Sequence, residues 1–384
     1  MSTTAPPVHE RSPATTAAPR WLTRGSVPCL DGLRAVSILL VLTAHSKPAG
    51  DPSLPTVLQT ALSQGAVGVD VFFVISGFLI TLLLLREDRD FGAISPANFY
   101  RRRALRILPA YAVYLLTLAV LARIGTIHLG RADWVGALTY TVNFMRHPSW
   151  DIGHIWSLSL EEHFYLVWPL VFWLGPRWAR RLAWGCLLLM PVVRITLWEC
   201  CRGAVPIDTA TCTRMDGIAA GCVLAFLAWE PRCRARITLA GRTAGWVGAA
   251  ALAALAASLT LSEVSYRFRL LFGFSLDALA ISALIWVCIT HDGGGVGKLL
   301  RSRPLVWLGR VSYGVYIWQQ LFLNPDGEGW MYWWPASLGF ALLAAMASYW
   351  LVERPFLRLK ASFRPAAWRG RVGDGLLPTA LGEG

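Results

Sequence analysis

Residues 30–46, LDGLRAVSILLVLTAHS, form an apolar run that contains one arginine and one histidine. Arg34 and His45 are eleven positions apart, and eleven helical steps of roughly 100° return to within about 20° of the start. The two side chains therefore share one face of a helix, about 16 Å apart along its axis. Two interpretations remain open: a functional site inside a membrane span, or an arginine that snorkels to the cytoplasmic interface with a histidine at the far end of the span.

The composition is that of a membrane protein. Of the 384 residues, 55% are hydrophobic and only 15% are charged, and the mean hydropathy is +0.47. The 19 Trp and 10 Tyr residues are suited to the two lipid–water interfaces. We predict an all-α fold, a polytopic transmembrane helical bundle with the lipid bilayer as its partner.

Runs long enough to cross the hydrocarbon core give about ten spans. They lie near 31–46, 66–85, 107–124, 157–174, 181–199, 214–229, 244–261, 270–290, 305–323 and 333–352, and the segment 134–145 is too short to span. Most of the 36 Lys and Arg residues fall in alternate connections on one side. The positive-inside rule therefore predicts that both termini are cytoplasmic. This topology and anionic lipid headgroups account for the net charge of +13 without a nucleic-acid partner.

The chain divides into one membrane domain and two tails. Residues 1–25 are rich in Ser, Thr, Ala and Pro, and we predict a flexible cytoplasmic tail there and another at 361–384. Residues 26–360 form the predicted transmembrane domain, and any chemistry is expected within it. The cysteines have no metal-ligand spacing, so no metal is expected. Cys200 or Cys201 can pair with Cys212 in an oxidising exterior, or all three remain thiols.

Two further polar groups interrupt the early spans. Asp70 and Ser76 stand among apolar residues of the second span. Arg103 and Arg106 lie in the predicted cytoplasmic loop 86–106, three positions apart on a helical face at the membrane surface. An arginine pair of this kind suits the phosphates of an anionic cofactor. Ordinary topogenic charge is the alternative interpretation.

The fourth span opens with a dense group of titratable residues. His154, Glu161, Glu162 and His163 fall within ten positions at its entrance. Two adjacent carboxylates cannot both face lipid, so at least one must point to a cavity, an arginine or a histidine. Polar groups also open or close other spans: Arg214, Asp216, Arg310, Ser312, Tyr313 and Glu353. Polar side chains therefore enter the bundle from many helices.

With these motifs in order, the sequence resembles the acyltransferase 3 family of integral-membrane acyltransferases. The motifs that support this resemblance are LDGLRA through His45, GVDVFFVISGFLI (68–80), RALR (103–106), WSLSLEEHFYLVWP (156–169), RMDGIAAG (214–221), LGRVSYGVYIWQ (308–319) and ERPF (353–356). The resemblance implies a stand-alone, multi-pass enzyme of the cell membrane. It implies transfer of an acyl group, commonly acetyl from acetyl-CoA, to hydroxyls of cell-surface glycans or glycosylated natural products.

This chain departs from the family's pattern at two positions. His163 stands where the family usually has glutamine, and it would place a second titratable group near the site. Gln319 stands where the family often has histidine, which excludes a catalytic histidine in the ninth span.

The residues support a mechanism consistent with the resemblance. A sugar hydroxyl is a weak nucleophile, and imidazole titrates near neutral pH, so His45 is expected to act as the base or as a transient acyl carrier. Arg34, Arg103 and Arg106 are expected to hold the phosphates of acetyl-CoA or another acyl-CoA on the cytoplasmic side. Glu161 or Glu162 is expected to orient an imidazole.

The acceptor and the reaction class remain open at this stage. Tyr165 and Trp side chains at the outer ends can stack on the rings of a carbohydrate acceptor, or simply anchor the helices in lipid. A transporter or flippase of a saccharide or lipid-linked substrate would show similar broken polar helices. A membrane hydrolase is a further alternative.

Overall fold

The computed structural model describes residues 20–23, 27–46, 48, 53–201, 203–238 and 241–362, and the long elements in this part of the chain are all helices. In chain order they are α1 (Arg20–Thr23), α2 (Pro28–Ala44), α3 (Thr56–Ser63), α4 (Val67–Phe91), α5 (Pro96–Arg123), α6 (Arg131–Thr139), α7 (Trp150–Gly153), α8 (Ile155–Trp173), α9 (Pro176–Cys200), α10 (Thr211–Trp229), α11 (Pro231–Ile237), α12 (Gly241–Val264), α13 (Tyr266–Phe268), α14 (Phe274–Thr290), α15 (Gly295–Leu300), α16 (Arg303–Phe322), α17 (Ala336–Ser348) and α18 (Arg354–Ser362). The predicted all-α fold is confirmed.

Seven helical stretches of the described chain are long and apolar enough to cross a bilayer. They are Leu58–Phe91, Pro96–Arg123, Pro176–Cys200, Thr211–Trp229, Gly241–Val264, Tyr266–Thr290 and Ala336–Leu359. The three other predicted spans correspond to α2, which is 17 residues long, and to α8 and α16, which contain more polar side chains. The chain is therefore a polytopic helical bundle, and the site described below is built from α2, α4, α5, α8 and α16.

The connection between α4 and α5 is shorter than predicted. α4 continues to Phe91 and ends at Gly92, which has a φ of 73°. α5 begins at Pro96, and the Ser95 side chain accepts a hydrogen bond from the Asn98 backbone N–H. Ser before Pro is a strong helix start. The interpretation of 86–106 as a loop was therefore wrong, and Arg103 and Arg106 lie on α5 itself.

Backbones approach closely where α4 crosses α10 and where α2 meets α16. A Cβ atom added at Gly77 would overlap the Ile218 carbonyl of α10, and one added at Gly221 would overlap the Val74 carbonyl of α4. A Cβ atom at Gly309 of α16 would overlap the Asp31 carbonyl of α2. Small residues allow this close packing. In lipid the hydrophobic effect does not hold helices together, so van der Waals contact between their backbones contributes more. The contact at Gly309 brings the N-terminal halves of α2 and α16 together.

Part of the predicted N-terminal tail packs on the bundle. Arg86 of α4 is buried and donates hydrogen bonds to the carbonyl oxygens of Trp21 and Leu22 at 2.5 and 3.0 Å. The Trp21 ring contacts Phe78 and Trp286. The rest of the predicted N-terminal tail, residues 1–19, 24 and 25, and residues 363–384 of the predicted C-terminal tail lie outside the described residues.

The eight cysteines of the chain form no disulfide. Cys200, Cys201 and Cys212 are free thiols, as are the other five cysteines of the chain. The alternative of unpaired thiols therefore holds in this structure.

The segment 134–145 contains the end of α6, which is nine residues long, and a 3₁₀ turn at Val142–Phe144. Neither element is long enough to span a bilayer.

Candidate functional site

A cavity of about 60 Å³ lies between α2, α4, α8 and α16. Its polar lining consists of Arg34, Ser76, Ser157, Glu161, Ser312, Tyr313 and Tyr316, and its apolar lining of Val69, Phe72, Phe73 and Leu158. Residues that the sequence placed in four separate motifs thus face one space. The predicted site residues Arg34 and Glu161 line this cavity directly.

Glu161 is held in place by one donor from α4 and one from its own helix, α8. Ser76 Oγ of α4 donates to Glu161 Oε1 at 2.9 Å, and the Tyr165 hydroxyl donates to Glu161 Oε2 at 2.8 Å. Tyr165 OH also lies 3.2 Å from Ser76 Oγ. Both carboxylate oxygens therefore have donors, which offsets the cost of placing the group among apolar helices. Ser76, noticed in the sequence as an isolated polar residue, is thus part of the site.

Glu162 projects from α8 toward α5. Its charge interacts with Arg103 and with Glu161, and its Oε1 atom is buried without a hydrogen-bond partner among the described residues. Successive residues of a helix point about 100° apart, so the two carboxylates face different neighbours. The prediction that at least one of them points inward is met by both. Neither carboxylate hydrogen-bonds to a histidine within the described chain, so the geometry does not favour the expected role of orienting an imidazole.

Three arginines converge beside the cavity. The Arg103 guanidinium lies over the Tyr165 ring, 3.7 Å from its centroid. The charge of Arg106 interacts with Arg34 and Arg103 and is balanced in part by Glu353 near the end of the tenth predicted span. Arg34 Nε and Arg103 Nε are buried, with no hydrogen-bond acceptor in the described chain. Clustered cations in a low-dielectric interior favour an anionic ligand.

His45 lies at the other end of α2, outside the lining of this cavity. Its Nδ1 atom is 3.0 Å from the Val41 carbonyl oxygen, and a carbonyl can only accept. Nδ1 therefore carries the proton, and Nε2 keeps its lone pair. The edge of the ring packs against Trp150 with the centroids 6.0 Å apart. His45 thus has the tautomer that a base requires.

The family profile of the acyltransferase domain matches residues 27–354 of this chain. The chain belongs to the acyltransferase 3 family. A candidate O-acetyltransferase of Staphylococcus aureus strain COL is 26% identical over 370 residues, which cover 89% of this chain and 59% of the relative. Peptidoglycan O-acetyltransferase OatA of Listeria monocytogenes is 30% identical over 320 residues, covering 77% and 49% of the two chains.

A third relative, YrhL of Bacillus subtilis, is named as a candidate peptidoglycan O-acetyltransferase. It is 30% identical over 361 residues, which cover 86% of this chain and 54% of the relative. The chain therefore spans about half the length of the curated relatives it matches. No solved structure matches the chain.

Two buried arginines of this family member, Arg214 and Arg194, form ion pairs outside the lining of the cavity. Arg214 of α10 pairs with Asp70 of α4 at 2.5 Å. Arg194 of α9 pairs with Asp216 at 2.7 Å and is fully buried. Arg194 also donates to the carbonyl oxygens of Leu270 and Thr213. These groups join α4, α9, α10 and the turn before α14, which is a structural role.

The departure at His163 does not add a base to the cavity. His163 Nδ1 lies 2.7 Å from Thr211 Oγ1 of α10, and its ring stacks on Phe144. His163 therefore does not line the cavity. The cause is the helix period, which turns His163 away from Glu161 toward α10.

The sequence did not indicate that His154 and Gln319 lie together beside His45. His154 is 2% exposed; its Nε2 lies 3.1 Å from the Ile317 carbonyl oxygen, and its ring lies within interaction range of His45. Gln319 of α16 is fully buried and lies within interaction range of the His45 ring. The signal in the sequence was His154 itself, which stands just before the carboxylate motif. No cluster of His, Cys, Asp or Glu in the described residues could hold a metal ion.

Proposed function

We propose that this protein is an O-acetyltransferase of the cell membrane that moves an acetyl group, or another short acyl group, from acyl-CoA to a hydroxyl of a carbohydrate. The observation that supports the proposal most directly is the convergence of Arg34, Arg103 and Arg106 beside the cavity lined by Glu161. The relatives are named as O-acetyltransferases, which agrees with the reaction class.

The arginine cluster provides the donor site. Coenzyme A has phosphate groups, and planar guanidinium groups bind phosphate oxygens in pairs. The buried Nε atoms of Arg34 and Arg103 have no acceptor in the described chain, so a phosphate would satisfy donors that are otherwise unpaired. Arg34 contributes from α2, while Arg103 and Arg106 contribute from α5.

The two glutamates serve this donor site in different ways. Glu161 fixes the Tyr165 hydroxyl, and the Tyr165 ring supports Arg103. Glu162 offsets the charge of Arg103. The carboxylates therefore hold the arginines in position, and a histidine does not depend on them for its orientation.

His45 acts as the general base. The sugar hydroxyl attacks the thioester carbonyl while Nε2 of His45 takes the hydroxyl proton. A C–O bond forms, the C–S bond breaks, and the thiolate of CoA leaves and is protonated by the imidazolium. The hydrogen bond from Nδ1 to Val41 O holds the ring in the tautomer that this step needs.

The spacing along α2 links the two sites. Arg34 and His45 are about 16 Å apart along the helix axis. An extended pantetheine arm has a length of this order, so the thioester can reach His45 while the phosphates stay at the arginines. With the predicted topology, acyl-CoA enters from the cytoplasm, and the glycan acceptor meets it from the outside.

The deciding experiment is an assay of purified protein with acyl-CoA and a panel of sugar acceptors and acyl chain lengths. We expect release of free CoA thiol that depends on the acceptor and is accompanied by the acylated sugar. Protein with His45→Ala serves as the matched control for contaminating activity. Acceptor transport across sealed vesicles without thiol release would overturn the proposal in favour of a transporter.

A further inference from the structure

Gln319 is a fully buried amide near the His45 ring. Its side chain is 0% exposed, and neither Oε1 nor Nε2 finds a hydrogen-bond partner among the described residues. An unpaired buried amide destabilises a protein, because the group loses water and gains nothing in exchange. A residue in this condition calls for a partner that is present only when substrate is bound.

The adjacent residue shows the contrast. Gln320 is 4% exposed, and its Oε1 accepts from the His154 backbone N–H at 2.9 Å. Its backbone carbonyl accepts from Trp150 Nε1 at 2.8 Å. Gln320 therefore ties α16 to the segment that begins α8. Gln319 makes no comparable connection, although it has the same side chain and the same degree of burial.

The position of Gln319 lies between the cavity and His45. Tyr316, one helical turn earlier on α16, lines the cavity beside Arg34. Gln319 itself lies within interaction range of the His45 ring. Trp150 contacts the His45 ring, and its indole Nε1–H donates a hydrogen bond to the Gln320 carbonyl oxygen. These two contacts independently place this part of α16 beside His45. An amide N–H is thus available where the thioester carbonyl would meet the base.

We propose that Gln319 is a further catalytic residue, whose amide N–H donates to the oxyanion that forms on the acyl carbonyl. This inference rests on the proposed acyl transfer. When the acceptor oxygen attacks, the carbonyl π electrons move to oxygen, and Gln319 Nε2–H stabilises that charge in a water-poor interior. When the tetrahedral intermediate collapses, the C–S bond breaks and the carbonyl reforms. The proton remains the task of His45.

The test compares two acceptors in the full-length protein. A sugar hydroxyl needs a base, whereas hydroxylamine is a nucleophile that attacks a thioester without one. Gln319→Met keeps the volume of the side chain and removes the donor. We expect Gln319→Met to lower kcat by about 100-fold with both acceptors, while KM for acyl-CoA stays unchanged. Protein with His45→Ala should lose transfer to the sugar and retain transfer to hydroxylamine.

The controls separate this role from a structural one. Ser348 of α17 is also buried without a partner for its hydroxyl in the described chain, so Ser348→Ala is the matched control and should keep the wild-type kcat. Gln319→Leu repeats the test if the Met variant is not recovered folded. If a Gln319 variant loses only the reaction with the sugar, Gln319 acts through His45. If the variant keeps the full kcat, Gln319 has no catalytic role. Either result overturns the inference. Wild-type protein that uses neither acceptor overturns the proposed function as well.

Discussion

The Arg103 guanidinium of α5 lies over the Tyr165 ring of α8, 3.7 Å from the ring centroid. The hydroxyl of the same tyrosine donates to Glu161 at 2.8 Å. One residue therefore supports a cation with its ring and a carboxylate with its hydroxyl. The carboxylate lines the cavity, so the arginine cluster and the cavity wall are mechanically connected.

Substitution of Tyr165 should separate these two contacts. Tyr165→Phe keeps the ring beneath Arg103 and removes only the hydrogen bond to Glu161, so we expect KM for acyl-CoA to rise less than in the Leu variant. Tyr165→Leu removes a desolvated cation–π contact worth about 2 kcal/mol, so the donor KM should rise by about tenfold or more. Steady-state kinetics with varied acyl-CoA measure both. Equal donor KM values for the Phe and Leu variants would show that Arg103 does not depend on the ring.

His45→Ala should abolish transfer to sugars while leaving a folded protein. General base catalysis contributes about 10²- to 10⁴-fold, and the loss should appear in kcat. The thermal unfolding midpoint of the purified variant in detergent serves as the control, since His45 lies at the end of α2 and is only partly buried. Turnover near the wild-type rate in a folded variant would refute the assignment of the base.

The pair Arg103 and Arg106 should govern donor affinity. Replacing both by Gln is expected to raise KM for acyl-CoA, because contacts to the phosphates are lost. KM for the acceptor should change little, because the acceptor site is left intact. Arg123→Gln is the matched control, since Arg123 is an exposed arginine at the other end of the same helix. An unchanged donor KM combined with failed insertion or inverted topology would favour a purely topogenic role.

Donor use should be restricted to one face of the membrane. Arg34 lies near the end of α2 that the charge distribution assigns to the cytoplasm. In sealed vesicles of known orientation, acyl-CoA should support transfer only when it is supplied on the cytoplasmic face. Comparison with vesicles permeabilised by mild detergent controls for inactive protein. Equal use of acyl-CoA from the outer face would contradict the donor route, even if His45 proved essential.

The buried pair Arg194 and Asp216 should matter for stability. Asp216→Ala leaves the fully buried guanidinium without its counter-charge, and we expect a loss of about 3 kcal/mol or more in the free energy of unfolding. Asp292→Ala is the control, because its ion pair with Arg301 is exposed and worth about 1 kcal/mol or less. Thermal unfolding in detergent measures both variants. Similar midpoints for the two would indicate that water reaches Arg194.

The helical elements could be predicted from the sequence because hydrophobic runs are a local property of the chain. Each of the ten predicted spans coincides with a helix, and the shared face of Arg34 and His45 follows from the helix period alone. The prediction went wrong at 86–106, where charged residues imitate a loop. The charges there lie on the last turns of α4 and the first turns of α5, because a helix in a bundle can place arginines beside carboxylates of its neighbours.

The composition of the site was decided by tertiary packing. The sequence by itself determined the membrane class, the helices, the family and Arg34, His45, Glu161 and Glu162 as candidates. Only the structure distinguished Glu161, which lines the cavity, from Glu162, and placed His154 and Gln319 beside His45. The physical reason is that the helix period specifies directions within one helix. Which neighbour a side chain meets depends on close contacts such as that at Gly309, between residues far apart in the chain.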